Sequence, residues 1–253
     1  MLLIFVAMPS IGALFTVSFG QALPLRRTLM LVLLELAPVT IYLLATSSRT
    51  SEAAFQGLVE IGASTFFALV LPVVSIVIAA GALGNERRDL TLSFIALRPL
   101  PRTGIAATKL AAAIAAAGMV NLVGAIALGV AHTVRYGGSG VIVALIFGTI
   151  VATAAYASLF LPLGFLTDRA VIIGMGYLLV FENGVIFALS GLVLLSPWRL
   201  GAGVFADGSA GARIYLGDAI GSLSTGRVLI TLAIYVAVGL AGTTWLLRHR
   251  DLA

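Results

Sequence analysis

Long runs without a charged residue constrain the fold of this chain more than any other feature. Residues 61–85, 110–134 and 136–167 carry no Asp, Glu, Lys or Arg. Each run is at least as long as the roughly 20 apolar residues that cross the hydrocarbon core of a bilayer as a helix. The runs are too long for barrel strands and lack strand-type alternation, so helices must satisfy the backbone. The sequence predicts an all-α, polytopic membrane protein.

Six transmembrane helices are predicted from these runs and their neighbours. They cover residues 29–46, 61–83, 110–131, 141–166, 170–195 and 228–247. Residues 1–28 are expected to form an N-terminal, elbow-like interfacial segment that precedes a six-span domain over 29–253. The alternative for residues 1–23 is a seventh span, which would place the N-terminus outside and leave the rest unchanged.

Composition supports the membrane assignment and narrows the function. Only 10% of the residues are charged and 60% are hydrophobic, whereas soluble domains carry about 25% charged residues. The chain has no cysteine, which excludes disulfides, thiolate metal sites and cysteine nucleophiles. The net charge of +5 is interpreted as a bias of the cytoplasmic loops, and no nucleic-acid partner is expected.

Basic residues predict the orientation. With six spans and both termini inside, ten Lys and Arg residues face the cytoplasm and five face outside. This asymmetry agrees with the positive-inside rule. The segment 84–109 is then cytoplasmic and the loop 196–227 external, in a multi-pass protein of the cell membrane. The apolar residues of the glycine-rich external loop favour short helices on or within the outer membrane face.

The segment 84–109 is a polar interruption between two apolar spans. Asn85 is a predicted N-cap, and Glu86 and Asp89 would occupy a first helical turn, where negative charge suits the helix dipole. Leu90, Phe94 and Leu97 share one face at helical spacing, and Pro99 ends the helix. Such an amphipathic helix suits either docking onto another protein or resting on anionic lipid.

The order of residues in this segment resembles the pattern of ABC-2 type transporter permeases. In that family a Glu precedes Gly-Thr-Leu, a short apolar stretch, a Pro, a basic residue and a Lys that enters the third span. Here Glu86, Thr91-Leu92, Pro99, Arg102 and Lys109 stand in that order, while Leu90 replaces the usual Gly. A looser likeness is the aromatic-Glu pair Phe181-Glu182 with a Leu-Ser downstream.

The resemblance implies the membrane half of an ABC exporter. Two identical or related permease chains would form the translocation path, and each would contact an ATPase subunit through a coupling helix between spans two and three. The coupling residues would be Glu86, Arg87, Arg88, Asp89, Leu90, Thr91, Phe94, Leu97, Arg98 and Arg102. ATP and Mg would bind the partner ATPase, and no cofactor is expected on this chain.

Other sequence features bear on the alternatives. The single lysine, Lys109, lies outside any Gly-rich phosphate loop, so the chain itself is not expected to be an enzyme. A stand-alone secondary transporter or a membrane enzyme are the competing hypotheses.

Charged and polar residues inside the membrane are candidates for cavity contacts or for hydrogen bonds between helices. They are Glu182, Asn183 and Glu35. Glu182 lies near the middle of span five, without a basic residue predicted at its depth. Glu35 is expected nearer the cytoplasmic end, within reach of water or of Arg26 and Arg27.

Overall fold

The structure, a computed structural model, describes residues 2–88, 100–185, 190–221 and 223–249, and the side chains of these except 2–10, 190, 191 and 218. Within these ranges the chain is helical and contains no strand. The N-terminal half comprises α1 (Leu2–Ala22), α2 (Leu25–Glu35), α3 (Ala37–Ala45), α4 (Ser51–Ile61), a π-helical segment (Gly62–Val70) and α5 (Leu71–Arg88).

The C-terminal half begins with two long helices. These are α6 (Arg102–Tyr136) and α7 (Gly140–Leu166). Shorter elements follow: α8 (Ala170–Gly176), a second π-helical segment (Tyr177–Val185), a 3-10 turn (Ser190–Leu195), α9 (Pro197–Gly208) and α10 (Ala212–Ile220). The last helix is α11 (Thr225–His249).

Five helices of the described chain are long and apolar enough to cross a membrane. They are Leu25–Ala45, Ser51–Arg88, Arg102–Tyr136, Gly140–Leu166 and Thr225–His249. They correspond to predicted spans one, two, three, four and six. The predicted fifth span is described as the shorter apolar helix Ala170–Val185, so six spans stay a prediction. The division of the chain at residue 28 also stays a prediction.

Observed helices extend beyond the predicted apolar runs. The second span begins at Ser51 rather than at residue 61 because Thr50 caps it: the Thr50 hydroxyl accepts a hydrogen bond from the Ala53 amide at 3.5 Å. Glu52 then lies in the first turn, where negative charge suits the helix dipole. Polar residues therefore continue the helix outside the apolar run that sequence analysis detects.

The helix α7 lies at the centre of the molecule. It packs against α5, α6, α9 and α11, and its large side chains Tyr156, Phe160 and Leu161 are buried in the main apolar core. On α6, three pairs of alanines have the small-xxx-small spacing of closely packed membrane helices. The pairs Ala112/Ala116 and Ala113/Ala117 are buried, whereas Ala111 is exposed and Ala115 half-buried. The exposed apolar side chains of α2 and α11 are left for lipid or a partner chain.

Glycine lets α5 and α7 touch through their backbones. A Cβ atom on Gly164 of α7 would lie 2.7 Å from the Ala80 carbonyl carbon, and one on Gly84 would lie 3.0 Å from the Gly164 carbonyl oxygen. Real Cβ atoms do not approach backbone this closely. The crossing of the second and fourth spans therefore depends on the absence of a side chain at Gly164.

We expect Gly164→Ala to destabilise the folded chain by about 1–3 kcal/mol, because the added methyl group forces the two helices apart. The measurement is the melting temperature of the full chain in mild detergent. Gly118→Ala on α6 is the matched control, since nothing lies within 4 Å of the Cβ it would add. An equal loss in both variants would contradict the close crossing.

The predicted external loop 196–227 contains two short helices, α9 and α10, as the sequence predicted. The helix α9 is buried along most of its length and packs on α7. Asp207 at its end accepts hydrogen bonds from the amide and the hydroxyl of Thr225, both at 2.8 Å, and pairs with Arg213. Burial would raise the pKa of Asp207, but hydrogen bonds from Arg213 and Thr225 outweigh it and lower the pKa. The loop is thereby tied to the start of α11.

Candidate functional site

A buried ion pair joins the two ends of the predicted coupling segment, which together form the base of that segment. Lys109 Nζ donates to Glu86 Oε1; the lysine is 0% exposed and the glutamate 5%. Glu86 lies in the last turn of α5, and Lys109 lies two turns into α6. The pair therefore joins the ends of spans two and three on either side of the segment between them.

Arg87 extends this connection to a third helix. Its guanidinium donates through Nη1 to the carbonyl of Phe165 at 3.1 Å and pairs with Asp168. Phe165 belongs to the last turn of α7, and Asp168 lies in the turn before α8. The end of α5 is therefore held by α6, through Lys109, and by the end of α7. Glu86 and Arg87, which the sequence analysis assigned to a separate coupling helix, instead belong to the packed end of α5.

The described parts of the segment correct one sequence prediction. Asn85 was expected to cap a new helix, but it lies inside α5, which continues to Arg88. Its side-chain oxygen accepts a hydrogen bond from Arg88 instead of capping a helix N-terminus. The helix continues because Gly84, next to Asn85, packs against Gly164 of α7, so tertiary contacts outweigh the local preference of asparagine for helix ends.

The remaining predicted coupling residues are only partly described. Arg102 opens α6 and is half-buried, with Nη1 buried and without a hydrogen-bond partner. Leu100, just before it, packs in the main core, so the chain returns from the segment into the helical bundle at this point. Six predicted residues lie outside the described residues: Asp89, Leu90, Thr91, Phe94, Leu97 and Arg98.

Glu182 forms a second buried polar site. It lies in the π-helical segment, is 0% exposed, and accepts hydrogen bonds from the hydroxyls of Tyr156 on α7 and Ser196 before α9, the latter at 3.1 Å. Arg199 of α9 interacts with it electrostatically and lies over the Trp198 ring, 5.2 Å from its centroid. The carboxylate thus connects span five to α7 and α9.

The other intramembrane candidates have different surroundings. Asn183 donates to the Leu178 carbonyl of its own helix at 2.8 Å. Glu35 is 0% exposed and neither carboxyl oxygen has a hydrogen-bond partner, so the expected contact with water or with Arg26 and Arg27 is wrong. The span begins at Leu25 and not at residue 29, which places Glu35 in its middle, packed against Gly124.

Polar side chains also join the spans elsewhere. Asn121 Nδ2 donates to Ser75 Oγ at 2.9 Å and to Thr153 Oγ1 at 2.8 Å, which links α5, α6 and α7. Near the other end of the spans, Tyr42 and His132 share a hydrogen bond of 2.8 Å. His132 also lines a cavity of about 490 Å³ together with Glu52, Phe55 and Tyr136.

Together, apolar spans joined by buried polar contacts define a helical, multi-pass membrane protein. Residues 22–180 match the family model described as ABC-2 family transporter protein, which is more than half of the chain. The chain belongs to this family, as its sequence pattern indicated, and is a permease subunit of an ABC transporter. No curated protein matches the chain.

Proposed function

We propose that this permease subunit works in an exporter, forms the translocation path with a second permease chain, and is driven by a separate ATPase docked on the segment 84–109. Permeases of this family normally work with an ATPase subunit. The observation that carries the proposal is the buried Glu86–Lys109 pair. It makes the base of the segment a joint between two spans, which suits a segment that must transmit force.

Coupling would proceed by movement of packed helices as one body. A partner that displaces the segment pulls on α5 and α6 together through Glu86 and Lys109, and on the end of α7 through Arg87. Buried side chains packed at crystal-like density transmit such displacements instead of absorbing them. Closure of an ATPase pair would thereby shift spans two, three and four and alternate the access of the path.

The same contacts support the proposed orientation. Arg27, Arg87, Arg88 and Lys109 lie at one end of the helical bundle, which we name the arginine-rich face. Tyr42, His132 and Asp207 lie toward the opposite end. By the positive-inside rule, the arginine-rich face would lie in the cytoplasm, where an ATPase subunit is accessible, and both termini are proposed to lie on that side.

The position of Lys109 supports the assignment of ATP and Mg to the partner. A phosphate-loop lysine must reach the β- and γ-phosphates of the nucleotide. The only lysine of this chain is 0% exposed and engaged by Glu86. This supports the proposal that a partner ATPase subunit binds ATP and Mg and hydrolyses the nucleotide.

A stand-alone secondary transporter is the second candidate, and Glu35 is the observation that favours it. A buried carboxyl group without a hydrogen-bond partner in the middle of a span is typical of proton-carrying sites. Uptake or extrusion by proteoliposomes that contain the chain alone, driven by a pH gradient, would support this candidate. Loss of transport upon omission of the ATPase would exclude it.

We expect Phe94→Asp with Leu97→Asp to abolish co-purification of the ATPase subunit, because two charges would occupy the apolar stripe that helix-in-groove docking requires. The measurement is pull-down of the tagged chain from its native membrane, followed by mass spectrometry. Ile214→Asp is the matched control, since Ile214 is 81% exposed on α10. Retention of the ATPase by the double variant would overturn the docking assignment.

A further inference from the structure

A small polar cavity lies between helices at the arginine-rich face. It has a volume of about 130 Å³ and is lined by residues of α2, α5 and the turn before α8, among them Arg27, Gly81, Asn85, Arg88 and Asp168. At about 30 Å³ for each water, this volume accommodates a group of the size of phosphate. It lies beside the Glu86–Lys109 pair, and neither Glu86 nor Lys109 is among its lining residues.

Donor groups converge on this cavity. A methyl group on Gly81 would lie 3.2 Å from Arg27 Nη1 and 3.4 Å from Asn85 Nδ2. The Asn85 oxygen is occupied by Arg88, so the amide of Asn85 is turned with its donor toward Arg27. Gly81 therefore leaves a space between these two donors, and any side chain at position 81 would fill it.

Two of the arginines that line the cavity, Arg27 and Arg88, have no carboxylate partner among the described residues. Arg27 and Arg88 repel each other. Arg27 Nη2 donates to the Val77 carbonyl, while its Nε is buried without a hydrogen-bond partner. The acidic residue that lines the cavity, Asp168, is already paired with Arg87. Two guanidinium groups that line one small cavity favour an anion between them.

A second cavity of about 210 Å³ adjoins the first. The two share Gly81 and Asn85, and the second is also lined by Ser18, Gln21 and Glu86. Ser18 is 4% exposed, and its hydroxyl is buried without a hydrogen-bond partner. The pair of cavities thus offers a cationic site next to a polar site suited to hydroxyl groups.

We propose that Arg27, Asn85 and Arg88 bind the phosphate group of an anionic phospholipid, with the polar headgroup extending toward Ser18. The site lies at the ends of α2 and α5, where the apolar spans give way to polar residues and where lipid headgroups are found. Arginine recognises phosphate through several parallel N–H donors. The lipid would bridge the first span and α5 beside the coupling base.

The test is native mass spectrometry of the purified full chain titrated with phosphatidylglycerol, phosphatidylcholine or inorganic phosphate. We expect phosphatidylglycerol to bind the unaltered chain and to bind Arg27→Gln, Arg88→Gln and Gly81→Val at least about tenfold more weakly, because each variant removes a charge-assisted donor or fills the space. Arg26→Gln is the matched control, since Arg26 is exposed and does not line the cavity.

The outcomes distinguish binding of the lipid at this site from a general electrostatic attraction of the lipid to the protein. Equal lipid binding by all variants, or equal weakening by Arg26→Gln, would overturn the proposal. If the lipid does not bind but inorganic phosphate does, and the same variants weaken the binding of phosphate, the ligand would be a soluble phosphate instead. Arg88→Gln and Gly81→Val keep the test informative if Arg27→Gln, which also loses the bond to Val77, lowers the yield of folded chain. Lipid binding by the chain alone does not depend on an ATPase, so this result is independent of the proposed coupling.

Discussion

Replacement of Lys109 by methionine is expected to destabilise the chain by about 3–5 kcal/mol, because it removes the lysine charge that pairs with the buried Glu86 carboxylate. The aliphatic stem of methionine fills most of the lysine volume, so the loss of stability would result from the missing charge and not from a cavity. The measurement is the melting temperature of the full chain in mild detergent, together with ATP hydrolysis by the co-purified complex. We expect hydrolysis to lose its dependence on the permease, since α5 and α6 would no longer move together.

The control for this variant is the double replacement Glu86→Gln with Lys109→Met. Removal of both charges also removes the desolvation cost of the pair, so the double variant is expected to be more stable than Lys109→Met alone. A double-mutant cycle then gives the coupling energy between the two side chains. If Lys109→Met and the double variant melt at the same temperature, the ion pair does not hold the base of the segment.

The exchange variant Glu86→Lys with Lys109→Glu separates stability from coupling. It keeps one positive and one negative group at the same two positions, so we expect a melting temperature well above that of Lys109→Met. A folded exchange variant that binds the ATPase but does not regulate hydrolysis would indicate that Glu86 contacts the partner directly. If the exchange variant again regulates ATP hydrolysis, the result would support the role of the ion pair as the joint between α5 and α6.

Much of the fold is encoded locally and could be predicted from the sequence. Apolar runs predicted the five helices that are long and apolar enough to cross a membrane, whereas the predicted fifth span is described as a shorter apolar helix. Helix ends were predicted less well because capping and polar first turns extend a helix beyond its apolar part. Ser51–Ile61 is the clearest instance: Gln56 and Glu60 interrupt the apolar pattern, but the helix continues through them.

Only part of the candidate site could be predicted from the sequence. Glu86 and Lys109 were both noted, but as members of a linear pattern, although opposite charges at facing ends of two consecutive antiparallel spans are a signal for pairing. Arg199 gave no such signal, because its approach to Glu182 depends on α9 packing back onto α7. That contact is set by tertiary structure, and no local spacing in the sequence encodes it.

Replacement of Glu182 by leucine is expected to destabilise the chain by about 3–5 kcal/mol. The variant leaves Arg199, which is 5% exposed, without the nearby carboxylate, and it leaves the hydroxyls of Tyr156 and Ser196 without their acceptor. Tyr156→Phe removes one donor only, so its expected cost is the smaller value of about 1–3 kcal/mol for a hydrogen bond to a charged group. Melting temperatures in detergent give the order of the two effects.

Glu182→Gln distinguishes a structural role from contact with a transported molecule. Glutamine has nearly the same shape and still offers an oxygen to Tyr156 and Ser196, so the connection between span five, α7 and α9 should survive with a smaller loss than in Glu182→Leu. If Glu182 is structural, ATP hydrolysis by the folded complex should follow the melting temperature through the three variants. A Glu182→Gln complex that melts like the unaltered protein but no longer transports would instead place this carboxylate in the translocation path, since only its charge would have been removed.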